Sequence, residues 1–161
     1  MAQATGGMSS KKMIVEYAIG SPLGSFVVIS GSATSVTTSG GARMTGTAYT
    51  ADGDTAVVVS GKREPVEVTV NFIYTEAAGT PNAWADLYTV YANGNGACLR
   101  WSVEDYSASP EKRFTTVNTA GTAVALPISQ FSYPNPDAAS GDVVMGSMTI
   151  LAPNILTETA V

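Results

Sequence analysis

The run from Val66 to Thr75 alternates with a period of two. Val66, Val68, Val70, Phe72 and Tyr74 share one parity. Glu67, Thr69, Asn71 and Thr75 share the other, and Ile73 alone breaks the rule. Successive side chains of a strand point to opposite faces, so this pattern needs a sheet with one buried and one wetter face. The buried face in turn needs a second layer to cover it. The first set of residues, with Leu99 and Trp101 from a similar alternation over Leu99–Val103, is the predicted core strand face.

Shorter β-forming runs flank this strand. Met13–Ile19 and Phe26–Ile29 are separated by the breaker Gly20-Ser21-Pro22, and Arg43–Thr50 is rich in Thr and Tyr. Asp52-Gly53 signals a turn, after which Val57-Val58-Val59 reads as a buried strand. Weaker strand character covers 113–118 and 122–131. Val143–Leu151, apolar on both parities except for Gly146, Ser147 and Thr149, reads as a strand covered on both faces.

One helix is predicted over about residues 81–93. Thr80 can cap it and Pro81 suits its first position, while Asn93-Gly94 tolerates a left-handed stop. Trp84, Leu87, Tyr88 and Tyr91 recur at i, i+3, i+4 and i+7, a single stripe that would lie as a core face against a sheet. The expected fold is thus mainly β, a β-sandwich or curled antiparallel sheet with one flanking helix. Residues 13–152 form its single domain. Residues 1–12 read as a flexible arm, 153–161 as a tail, and the hydroxyl-rich stretch 30–42 as a mobile surface loop or, more sharply, as a long hairpin or loop that becomes ordered only against another subunit.

Charged residues make up 13% of the 161 residues, against about 25% in an average globular domain. A surface so poor in charge suits a molecule covered by its neighbours. The net charge of −5, with 13 acids against 8 bases, lacks the basic footprint of a nucleic-acid binder. The amino-terminal residues contain no apolar stretch long enough for a signal peptide, and no run approaches a membrane span. With one cysteine, Cys98, no intrachain disulfide can form, and synthesis in a reducing cytoplasm is expected.

The chain has no histidine, which removes the commonest general base and transition-metal ligand. Cys98 reads as a buried structural thiol. Of the close acidic pairs, Glu104-Asp105 would point to opposite faces of a strand, and Asp52/Asp54 reads as a turn, with weak calcium binding as the sharper alternative. Catalytic, cofactor-binding and metal-ligating residues are all expected to be absent, and the chain is expected not to be an enzyme.

Three consecutive segments carry a more specific signal. They are GDTAVVVSGKREPVEVTVNFIYTE, a helix over NAWADLYTVYANG, and ACLRWSVED. Over about residues 53–105 this arrangement resembles the tail tube proteins of long-tailed, siphovirus-like bacteriophages. The matching parts are a turn at Gly61–Pro65, a long strand over Val66–Glu76, a helix over Pro81–Asn93 and a strand at Leu99–Ser102. The resemblance implies a virion tail subunit made in the host cytoplasm. Its copies would form rings, usually hexameric, whose strands join into one continuous inner β-barrel. Rings would stack into a hollow tube, bridged by 1–12, 30–55 and 153–161. Expected partners are the chain itself and other tail proteins such as the tape measure and terminator. Double-stranded DNA would pass through the lumen without stable binding, and no membrane is involved. Glu67 is the candidate lumen or interface charge. Rival readings are a capsid decoration protein, a tail-terminator-like ring, and a carbohydrate-binding β-sandwich that would use Trp84, Trp101 and the tyrosines as a platform.

Overall fold

A computed structural model describes residues 12–49, 51, 57–75, 83–139 and 141–161. Within them lie eleven strands and one helix: β1 Ile14–Ile19, β2 Val27–Val28, β3 Ala33–Gly40, β4 Arg43–Ala48, β5 Val57–Arg63, β6 Val66–Ile73, α1 Ala83–Ala92, β7 Gly96–Ser102, β8 Lys112–Val117, β9 Leu126–Ser132, β10 Met145–Ala152 and β11 Asn154–Thr159. The chain is mainly β with a flanking helix, as the two periodicities require.

Every strand pairing is antiparallel. One layer runs β2-β1-β7-β8-β11 and the other β9-β10-β6-β3. They join where the start of β9 crosses to β7, at Gly96↔Pro127 and Ala97↔Leu126. The crossing needs a bare backbone: a Cβ on Gly96 would sit 2.3 Å from the Leu126 carbonyl oxygen.

Between the layers lies the core. Val15, Tyr17 and Leu99 enter from the first layer, and Val68, Val70, Phe72, Met148 and Ile150 from the second. Val66, Val68, Val70 and Phe72 are all buried, with Glu67 exposed between them. Tyr74 follows the strand and is half-buried, as is Trp101, which stacks on Phe114 at 5.7 Å. The helix closes the sandwich: Leu87 is fully buried, and Asp86 accepts a 2.8 Å hydrogen bond from the Tyr17 hydroxyl.

Several sequence expectations need correction. The stretch 30–42 is no loop: its residues 33–40 are β3, laddered along β6 from Ala33↔Phe72 to Gly40↔Val66. Thr and Ser satisfy a strand here because the ladder supplies the backbone partners without needing a deeply buried face. The tail 153–161 contains β11, paired with β8 from Asn154↔Val117 to Thr159↔Lys112. Gly61–Arg63 belong to β5, so the bend falls at Glu64-Pro65 instead of over Gly61–Pro65. Val57–Val59 form a strand, but an exposed one. The arm 1–12 lies outside the described residues apart from Lys12, as do Thr80, Pro81, Asp52 and Asp54.

Candidate assembly surfaces

The outward face of the β9-β10-β6-β3 layer is built by register. One row across the four strands is Ser35, Asn71, Ser147 and Ser132; the next is Thr37, Thr69, Thr149 and Gln130. These side chains bind one another. Asn71 Nδ2 donates to Ser35 Oγ at 2.9 Å, the Thr69 and Thr149 hydroxyls meet at 2.8 Å, and Ser147 Oγ donates to Ser132 Oγ at 2.9 Å. Glu67 is the one ionisable side chain on the four strands, and its carboxylate accepts from Ser39 Oγ at 3.3 Å. These two rows are therefore polar and uncharged, and the rows that flank them pair Leu151 with Glu67 and Met145 with Ile73.

Both edges of this layer are open among the described residues. β3 pairs with β6 alone, and β9 from Ile128 onward pairs with β10 alone. An open edge presents a row of backbone donors and acceptors, a template for another strand.

The β3–β6 ribbon does not stop at the layer. Gly41 N–H donates to the Pro65 carbonyl and Glu64 N–H to the Ala42 carbonyl, so the ribbon turns a corner and continues as the β4–β5 hairpin. Gly40 holds the corner with φ +75°, and a Cβ there would lie 2.7 Å from the Pro65 oxygen. All thirteen residues of β4 and β5 are exposed. Met44 at 61% and Val58 at 64% exposure are the most exposed large apolar side chains on this hairpin's two strands. Arg63 ties its base down, donating to the Gly41 carbonyl at 3.1 Å and to Asn154 Oδ1 at 2.9 Å.

The predicted helix stripe is rotated. Ala83, Leu87 and Val90 are buried, the first two within the core, while Trp84 and Tyr88 are half-buried beside it. Tyr91 is exposed, and its ring stacks on Phe131 at 5.5 Å. Trp84 and Tyr88 stack at 4.9 Å, and Tyr133 packs edge-on to Tyr88 at 5.7 Å. The Tyr133 hydroxyl ionises above its ordinary value, chiefly because it hydrogen-bonds with Tyr88. The rings form one cluster that surfaces at the end of β9.

Cys98 is fully buried, and burial pushes its thiol up, away from the nucleophilic thiolate. Asp105 lies 3.6 Å from the Lys12 ammonium and is held below the usual carboxylate range, first by the Ser107 hydroxyl and also by that charge. A groove of about 740 Å3 runs past the helix end between Ile19, Val90, Asn93, Val124 and Pro127, without an ionisable group in its lining. Among the described residues no cluster of three or more His, Cys, Asp or Glu side chains could hold a metal, and no helix is long and apolar enough to cross a membrane.

The class defined so far is a mainly β sandwich with a flanking helix, an open four-stranded layer and a projecting hairpin. Known structures share that fold from end to end. A chain in the PVC sheath/tube terminator of an extracellular contractile injection system, in its extended state, aligns with a TM-score of 0.61 at 12% identity, covering 98% of this chain and 100% of that one. A chain of the anti-feeding prophage cap (AFP tube terminating cap) aligns with a TM-score of 0.57 at 14% identity, covering 99% and 96%. A third, in the 6-fold symmetrised AFP baseplate, reaches 0.63 at 7% identity, covering 99% of both. At such identities the likeness is one of fold. No family model and no curated protein matches the sequence.

Proposed function

We propose that this chain is a non-enzymatic structural subunit of a hollow, phage-tail-like tube, whose copies close into hexameric rings that stack. The observation that carries this reading is the four-stranded layer with two open edges. Its strand number is even and every internal pairing antiparallel, so β3 of one copy meets β9 of a rotated copy antiparallel and the ladder continues unbroken. Closing the ring removes both edges, which would otherwise template uncontrolled pairing. The apolar face is already covered by the second layer and the helix, leaving the hydroxyl rows to line the bore. Glu67 then supplies the one charge per copy on those strands, an acid that repels phosphates so that double-stranded DNA slides without sticking.

A terminating ring is the second reading, favoured by the tube-terminator and tube-cap structures among the neighbours. Negative-stain microscopy of the concentrated protein separates the two. Long tubes of uniform width are expected; discrete closed rings would favour the terminator. Particles that stay monomeric at every concentration would overturn both.

A further inference from the structure

The first layer leaves one end of its inner face uncovered. Val15, Trp101 and Phe114 stand side by side across β1, β7 and β8, so they share the face that turns toward the second layer. Val15 is buried, but Phe114 is only half-buried, and Val103 continues the parity of Trp101 just past the end of β7. With Ala108 and Pro110 of the following loop, Val103 and Phe114 wall an apolar pocket of about 290 Å3. Glu104 and Glu111 also line it, and no described residue of the second layer does. The loop is held in shape. The Glu111 carboxylate accepts from the Ser107 N–H and from the Ala108 N–H at 3.0 Å, and the Glu111 carbonyl accepts from the Ala160 N–H at 3.0 Å.

The described chain starts beside this pocket. Lys12 is its first residue, and the Lys12 ammonium lies 3.6 Å from the carboxylate of Asp105, the neighbour of Glu104 in sequence. The β1–β7 register begins at Ile14↔Ser102; continued by two residues, it would set Met13 opposite Val103 and Lys12 opposite Glu104. Glu104 itself forms no ion pair among the described residues. Lys11 precedes Lys12, and Met8 is the nearest large apolar residue ahead of them. The four residues from Met8 to Lys12 span about 13 Å when extended, enough to bring Met8 from the Asp105 anchor into the pocket. An unbranched thioether side chain adapts well to an irregular apolar gap.

We infer that residues 8–11 fold back over the pocket of their own chain, with Met8 seated between Val103 and Phe114 and Lys11 against Glu104. The occupant is this segment because it starts at the pocket wall, carries the charge opposite to Glu104 and supplies the apolar side chain that the open end of the layer lacks. Docked there, it guards that end from apolar surfaces of other molecules. The contact lies within one chain, so it stands or falls independently of the tube reading.

Cysteine linkage in the full chain tests it. With Met8→Cys and Ala108→Cys, dilute protein in a glutathione redox buffer should form an intrachain disulfide, while the fully buried Cys98 stays out of the exchange. Adding Lys11→Glu and Lys12→Glu leaves the length of chain to be closed unchanged but sets like charges against Glu104 and Asp105. The linkage should then slow by about tenfold, with the circular dichroism of the wild type retained. Equal rates in the two backgrounds would overturn the docking, as would a disulfide that joins two chains in dilute solution. Met8→Ser, which alters no residue of the sandwich core, reads the pocket itself. It should raise the fluorescence of the neutral apolar dye Nile red several-fold over the wild type. The same dye signal from both would mean that the pocket stands open in the wild type, and the docking would be wrong.

Discussion

β5 and β6 are consecutive strands of one bent ribbon, and they use apolar residues in opposite ways. β6 places Val66, Val68, Val70 and Phe72 on one face, and all four are buried. β5 has three adjacent valines, Val57, Val58 and Val59, and they are 49%, 64% and 58% exposed. The difference lies in what surrounds them. β6 is flanked by β10 and β3 and roofed by Val15, Tyr17 and Leu99, whereas among the described residues β5 has one neighbour and no roof. Period, more than hydrophobicity, marks a strand that a single chain can bury.

That comparison is broken most sharply at Phe72. Phe72→Ala leaves a cavity between the layers and should cost about 3–5 kcal/mol in chemical denaturation. A cost below about 1 kcal/mol would mean that β6 is no better packed than the hairpin, and the contrast would fall.

The boundary between the two halves is the next place to press. Gly40→Ala forces a side chain into a left-handed conformation against the Pro65 oxygen, and should cost about 1–3 kcal/mol. The same substitution at Gly31, where nothing lies within 4 Å of the added carbon, should be close to neutral. Equal effects at the two glycines would show that the corner is not fixed by Gly40.

The fold was legible where one residue type repeats on a fixed period. β6 follows from its valines, and the helix from its aromatic stripe. Which face of the helix turns inward did not follow, because Ala83 and Val90 are small beside Trp84 and Tyr91, whose large rings dominate the pattern while lying next to the core. β3 and β11 were hidden for a different reason. Their strand character depends on ladders to β6 and β8, and Ser-Thr-rich or short mixed segments announce no buried face of their own. The polar rows were beyond reach, since Asn71 finds Ser35 and Thr69 finds Thr149 only once the register of distant strands is set. The exposure of the hairpin is hidden in the sequence because three β-branched residues in a row look like a core strand whether or not anything covers them.

Tyr17 belongs to the roof that β6 has and β5 lacks. Burial, then the hydrogen bond and charge of Asp86, raise its ionisation well above the ordinary value. An unfolded tyrosine loses its proton near pH 10, where the folded one still holds it. The contribution of Tyr17 is therefore intact below about pH 10 and drains away as the pH climbs higher. Tyr17→Phe should cost about 0.5–1.5 kcal/mol at neutral pH, and the gap to the wild type should narrow in alkali. A gap that widened there would reverse the assignment.

The smallest effect on folding is expected on the hairpin, and it separates the two strands most cleanly. Val58→Thr keeps the β-branched shape, swaps a methyl for a hydroxyl and sits where solvent already reaches the side chain. Its effect on the stability of the unassembled chain should stay within about 0.5 kcal/mol. If copies assemble as proposed and a neighbour covers this ribbon, the same side chain is buried there, where an unpaired hydroxyl costs about 1–3 kcal/mol. Tube growth should therefore need several-fold more protein while the melting of the lone chain is unchanged, and light scattering against concentration reads the first as calorimetry reads the second. If both properties moved together, Val58 would already be packed within its own molecule, and the distinction between a buried ribbon and a waiting one would be lost.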